Sequence, residues 1–231
     1  MIEAVGVVVP AHNEEADLPR SLDALRASAE HLSDVPVCVC VVADACSDQT
    51  ARCARQRGVL VLEIDAGCVG AARAAGMAAL LRQLSPRNPA SMWLATTDAD
   101  TCVPANWLSR QREYAESGWD AVAGTVMVTD WTSRPAHLSR IFAAHYAHRS
   151  GTHPHAHGAS LGVRGSSYLA AGGFRALRTG EDHDLLTSLH RVDSRIMRAT
   201  DITVTTSARR NGRAPDGFSG LLSRLATGAG S

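Results

Sequence analysis

The stretch Val5-Gly6-Val7-Val8-Val9-Pro10-Ala11-His12-Asn13-Glu14 decides how the rest of the chain is read. Val5 to Val9 is an unbroken apolar run, as a strand buried on both faces requires, and Pro10 is expected to end it because proline has no N–H for a ladder. Polar residues follow at once. In an open α/β sheet, ligands bind outside the carboxyl ends of the strands, so a buried strand running into His12-Asn13-Glu14 marks a candidate binding edge.

Working outward, Leu18, Leu22 and Leu25 are spaced to form one apolar stripe on a helix. Val37 to Val42 reads as a second strand, Ser47 to Arg57 as a helix stopped by Gly58, and Val59 to Ile64 as a third strand. An Ala-rich helix is expected from Val69 to Leu84, a loop from Ser85 to Ser91, and a fourth strand from Met92 to Thr97. Strands alternating with helices point to a mainly parallel sheet flanked by helices. Beyond it the pattern predicts a helix after Pro104, a strand over Ala121 to Val128 and a helix over Pro135 to Arg149. A His- and Gly-rich loop over Gly151 to Gly158, a strand to Val163, a helix from Glu181 and a strand near Val204 complete the expected order. No repeat or linker divides the 231 residues. The expectation is one α/β domain over 1–231, with a mobile tail over 213–231.

The chain carries 23 Lys and Arg against 23 Asp and Glu, so no basic field favours nucleic acid or an anionic membrane. Nucleic acid is therefore not an expected partner. No apolar run approaches the ~20 residues of a spanning helix, and no basic leader precedes Val5, so a cytoplasmic protein is expected. The cysteines Cys38, Cys40, Cys46, Cys53, Cys68 and Cys102 show no C-x-x-C pair, and free, mostly buried thiols are expected. Cys38 and Cys40 would share one face of the second strand.

Three polar clusters stand at expected strand ends: His12-Asn13-Glu14, Asp44-Ala45-Cys46-Ser47-Asp48, and Asp98-Ala99-Asp100. Singly, each also fits a local structural role, with Asn13, Asp17 or Ser47 as helix caps and Asp98 as a turn former. Two carboxylates one residue apart repel unless a cation sits beside them. Mg²⁺ or Mn²⁺ prefers hard oxygens and shares its coordination with water and phosphates, so Asp98 and Asp100 suit a nucleotide diphosphate.

With these residues in view, the sequence resembles the family 2 glycosyltransferases, which have the GT-A fold. The resemblance rests on Val7 to Glu14, Asp44 to Thr50, Gly67 to Gly76 with Arg73, Asp98-Ala99-Asp100, Gly172-Gly173-Phe174 and Gly180-Glu181-Asp182, in the family's order. It implies a nucleotide-binding half over 1–105, and a smaller, mixed acceptor-binding half over 106–212. Pro10, Asn13 and Glu14 would border the nucleoside, and Asp44 would pair with the base, uracil by expectation. Arg73 would contact the nucleotide sugar, Asp98 would lie near the ribose and share the metal, and Asp100 would bind the metal. Asp182 would be the catalytic base and Glu181 would orient acceptor or sugar. Arg209 and Arg213 match a basic loop over the diphosphate, or else an ordinary solvated stretch.

The implied activity is nonprocessive, inverting transfer of a sugar from a nucleoside diphosphate to a hydroxyl of a small molecule, lipid or glycan. Two departures matter. Ala43 replaces the first acid of the family's usual pair after strand two, and the Q-x-x-R-W motif of polymerising synthases does not follow Glu181. The alternatives are a sugar-phosphate nucleotidyltransferase, which would want a Gly-rich basic loop where Pro10 to Glu14 stand, and a noncatalytic nucleotide-sugar binding module, which needs no base. His153, His155 and His157 offer either an H-x-H metal pattern or solvated loop imidazoles, the latter favoured by Pro154 and Gly158. Arg164 would face either substrate or solvent.

Overall fold

The computed structural model describes residues 1–85, 87–132, 135, 137–145 and 153–207. Strand β1 (Ala4–Ala11) lies inside a seven-stranded sheet in which it is flanked by β2 (Val37–Asp44) and β4 (Met92–Thr96). The full order is β3-β2-β1-β4-β6-β5-β7, with β3 at Leu60–Ile64, β5 at Ala121–Val128, β6 at Leu161–Arg164 and β7 at Ile196–Thr206. Of the neighbouring pairs, only those made by β6 are antiparallel.

Side-chain alternation along β1 explains why this sheet needs helices on both faces. Val5, Val7 and Val9 join one buried cluster with Leu18, Leu22 and Leu25 of α1 (Leu18–Glu30), together with Trp107 and Leu108 of α4 (Trp107–Glu116). Val8 joins another with Ala72, Met77 and Leu80 of α3 (Val69–Leu84) and Leu185, Leu186 and Leu189 of α7 (Glu181–Arg191). Each leucine buried this way stabilises the fold by about 1.5–3 kcal/mol. The small residues of α3 let it lie close on the sheet. A Cβ on Gly76 would come within 2.7 Å of Val8 Cγ1 and 2.9 Å of Val42 Cγ2.

The helices α2 (Thr50–Gln56), α5 (Leu138–His145) and α6 (Gly165–Ala170) complete the fold. The structure departs from the expected elements at several points. Pro10 does not end β1: it stays in register opposite Val42, and the strand continues to Ala11. What ends there is the pairing with β4, whose last partners are Val8 and Thr96, with the Thr97 N–H reaching the Val8 carbonyl at 3.2 Å. By that alternation the missing Pro10 N–H faces β4, so the proline opens a gap between β1 and β4 while sparing the β1–β2 ladder.

Helix α6 is not among the expected elements. The helix expected over Pro135 to Arg149 is confined to Leu138–His145 among the described residues. All six cysteines are free, as expected, but only Cys40 is buried and the other five are half-buried. Burial pushes the Cys40 thiol up to about 12. No described helix is long and apolar enough to cross a membrane.

Candidate functional site

The loops leaving β1 and β2 brace each other. Asn13 and Ala45 both adopt left-handed backbone, with φ of 54° and 50°, uncommon outside glycine and concentrated at sites where surrounding contacts enforce it. Here the contacts are explicit. Asn13 Oδ1 accepts the Ser47 N–H at 2.7 Å, and Thr50 Oγ1 accepts the Glu14 N–H at 2.7 Å. His12 Nδ1 lies 2.7 Å from the Asp44 carbonyl, which makes that nitrogen the protonated one. Ser47 is not the cap of α2, whose N-cap position is Gln49; Asp48 Oδ1, one residue earlier, accepts the Thr50 N–H at 2.9 Å. Asn13 is likewise a bridge between loops, and Asp17, at the α1 N-cap position, makes no side-chain cap. Pro10 is half-buried and Glu14 is buried beneath this crossing.

Asp44 is 5% exposed and is gripped by main chain. Its Oδ1 accepts the Ala66 and Gly67 N–H groups at 2.7 and 2.9 Å, and its Oδ2 accepts the Cys68 N–H at 2.7 Å. Cys68 is the residue before α3, so this carboxylate fastens the β3–α3 loop and the start of α3 to the end of β2. A carboxylate offers about four acceptor positions. The second position on Oδ2 faces no donor among these contacts.

Beyond β4, Asp98 is partly exposed and Asp100 is buried. Asp100 Oδ1 lies 3.4 Å from Thr206 Oγ1, at the end of β7, a partner that the sequence reading missed. Arg73 is 3% exposed, and its Nη2 donates to Asp98 Oδ1 at 2.6 Å. Nη1 pairs with Glu181, itself 4% exposed, and Nε donates to Thr96 Oγ1 at 3.2 Å. The Phe174 ring centroid lies 5.9 Å from the guanidinium carbon. Glu181 is thus turned inward on a cation, whereas the adjoining Asp182 is half-buried.

Asp182 Oδ2 accepts the Gly158 N–H at 2.9 Å, while its Oδ1 accepts the His183 N–H at 2.8 Å. Gly158 ends a segment whose histidines are not the solvated loop imidazoles expected. His153 is 2% exposed, with Nε2 2.9 Å from the Ala123 carbonyl. The rings of His153, His155 and His157 stack, with centroids 6.0 and 5.7 Å apart. Burial pushes His157 down to about 3, outweighing the opposite pull of Asp182.

Arg164 lies away from these residues. Arg164 sits at the opposite edge of the sheet, half-buried, donating to the carbonyls of Ala90 and Ala115 at 2.7 and 2.6 Å. It faces neither substrate nor open solvent. Arg209 and Arg213 lie outside the described residues, as does the tail. For a divalent cation the candidate donors would be the hard carboxylate oxygens of Asp98 and Asp100. Among the described residues no cluster of three or more His, Cys, Asp or Glu could hold a metal alone. The pair therefore fits Mg²⁺ or Mn²⁺ only where water and phosphate oxygens complete the shell.

A mostly parallel sheet with helices on both faces, and with Asn13, Asp44, Asp98, Asp100 and Asp182 gathered by its carboxyl edge, has the layout of the GT-A glycosyltransferases. The sequence pattern of glycosyl transferase family 2 matches residues 6–178, and the chain belongs to that family. No curated protein matches it in sequence. Among solved structures, S. aureus TarS 1-349 in complex with UDP-GlcNAc superposes with a TM-score of 0.65 at 16% identity, covering 97% of this chain and 65% of that one. The mannosyltransferase PcManGT from Pyrobaculum calidifontis, in complex with GDP-Man and Mn²⁺, gives 0.65 at 19% identity, covering 97% and 70%. A mycobacterial protein gives 0.57 at 14%, covering 97% and 75%. At these identities the likeness is one of fold. This chain spans just under two thirds of the TarS fragment.

Proposed function

We propose that this glycosyltransferase is nonprocessive and inverting, moving a sugar from a nucleoside diphosphate, UDP by preference, to an acceptor hydroxyl. One observation carries the reading: Arg73 ties Asp98, next to the cation-binding candidate Asp100, to Glu181, next to the candidate base Asp182. Donor and acceptor chemistry are thereby joined by a single buried side chain. Residues 1–105 serve the donor in this reading and 106–212 the acceptor, a small molecule, lipid or glycan. A solved relative holding UDP-GlcNAc and another holding GDP-Man with Mn²⁺ support the substrate class.

Pro10, Asn13 and Glu14 border the nucleoside. The remaining acceptor position of Asp44 Oδ2 suits the ring N–H of uracil, which cytosine lacks. Asp98 and Asp100 hold Mg²⁺ or Mn²⁺ together with the diphosphate, with Asp98 also near the ribose. When bound, the cation offsets charge growing on the departing diphosphate. Arg209 and Arg213 are assigned to the diphosphate on the family resemblance alone. As the acceptor oxygen attacks the anomeric carbon and the bond to diphosphate breaks, Asp182 takes the hydroxyl proton. The Gly158 and His183 N–H groups aim that carboxylate, and each of its oxygens keeps an acceptor position. The lack of an apolar spanning helix among the described residues and the free thiols support placement in the cytoplasm.

The deciding experiment is Asp182→Asn, read by UDP release from a UDP-sugar with Mn²⁺ and by calorimetric donor binding. Turnover should fall by ~10² to 10⁴ with donor affinity held. Normal turnover in a folded Asp182→Asn protein would remove Asp182 as the base. The nucleotide is read by thermal shift with UDP, GDP and dTDP, where ligand at 100 times its Kd stabilises by about 2.7 kcal/mol.

A further inference from the structure

Arg73 has no part in the proton and charge transfers just described, yet it is more completely enclosed than any other charged group at the site. A buried guanidinium persists only when its donors are paired, and the fork of Arg73 reaches three separate elements: Thr96 on β4, Asp98 beyond it and Glu181 at the start of α7. The fourth party is Gly158. A Cβ built there would collide with the guanidinium carbon and both of its terminal nitrogens, so a side chain at 158 and Arg73 cannot keep their present places together. The same glycine donates its N–H to Asp182 Oδ2 at 2.9 Å. A closed circuit results, running from Asp98 through Arg73 to Glu181, along the chain to Asp182, and back through Gly158 to the face of Arg73.

We infer that Arg73 is a positioning residue and not a donor ligand: it fixes the base carboxylate of Asp182 relative to the Asp98 end of β4, and Gly158 lacks a side chain so that this cation fits. The inference rests on the reaction proposed above. Residues that set geometry act on turnover, since a misplacement near 1 Å costs about 10²-fold, whereas residues that touch the donor act on its affinity. Lysine cannot replace the fork, because a single ammonium does not span three partners in a plane.

The test compares Arg73→Lys, which keeps the charge, with Gly158→Ala, which keeps every charged group and adds one methyl. Donor binding is measured with UDP and Mn²⁺ by calorimetry, turnover by UDP release from a UDP-sugar, and folding by thermal melting. Both variants should lose about 10²-fold in kcat with the UDP Kd within about threefold of wild type. The double variant should be no slower than the slower single one, because both break the same circuit. A tenfold weaker UDP Kd with kcat retained in either variant would make Arg73 a donor contact and overturn the inference, as would wild-type kcat in both. Should the unmodified protein release no UDP from any UDP-sugar, the proposed function fails instead. The circuit is then judged by melting alone: losses in the double variant smaller than the sum of the singles uphold it, and strict additivity overturns it.

Discussion

Asp44→Asn is the substitution whose cost follows most directly from the geometry. The wild-type carboxylate accepts three main-chain N–H groups, from Ala66, Gly67 and Cys68, all within 2.9 Å. Asparagine keeps one acceptor oxygen. Placed at the Oδ1 position it still serves Ala66 and Gly67, but its amide nitrogen then points a donor at the Cys68 N–H. One buried amide left unpaired costs about 1–3 kcal/mol, and the two surviving bonds lose their charge assistance, so the total is about 2–4 kcal/mol. For a domain of this length each kcal/mol moves the midpoint by roughly 2–4 °C, which places the loss at roughly 5–15 °C. Thermal melting measures the total, and hydrogen exchange at residues 66–68 localises it. A midpoint within about 2 °C of wild type, with amide protection at 66–68 unchanged, would show that the cradle does not hold the loop.

Other outcomes follow from the same structure. Asp100→Ala should abolish the Mn²⁺ dependence of UDP binding in calorimetry while the protein still melts cooperatively, because the residue lies past a strand end; Mn²⁺-dependent binding at wild-type affinity would remove Asp100 from the cation site. His157 should make the fold acid-sensitive. Its folded value near 3 lies below the ordinary histidine value, so between about pH 6.5 and 3 the unfolded chain holds more protons and stability falls on acidification. The effect should be on the order of 1–2 kcal/mol by pH 5. Urea unfolding at pH 7 and pH 5 checks this, and His157→Gln should flatten the difference; an unchanged pH slope in that variant would contradict the assignment.

How much of this was legible beforehand depended on the range of the interaction. The range of α3, Val69–Leu84, the span of β5 and the start of α7 at Glu181 follow from local periodicity and turn residues, and the structure agrees with them. The candidate acids were legible because three polar clusters follow expected strand ends together, although each alone also fits a cap or a turn. Their partners were not. Arg73 and Glu181 are 108 residues apart, so only the folded sheet shows that the arginine faces inward. The grip on Asp44 comes from main-chain amides, which carry no residue-type signature beyond Gly67. The histidine stack, with His153 buried and His155 and His157 half-buried, was not legible for a related reason: Pro154 and Gly158 mark an irregular segment equally well whether it is covered or open.

The reversed strand β6 has a further consequence. In a purely parallel sheet every strand ends at the ligand edge, and each return to that edge must cross the whole domain. Because β6 runs the other way, with Leu161 opposite Thr96 and Arg164 opposite Trp93, it begins at that edge. The segment from His153 to Gly158 is therefore delivered to the site as an entrance and needs no crossover helix to bring it there. Strand polarity thus sets the Gly158 N–H and its Asp182 partner at the same edge as the end of β4, with no crossing of the domain between them.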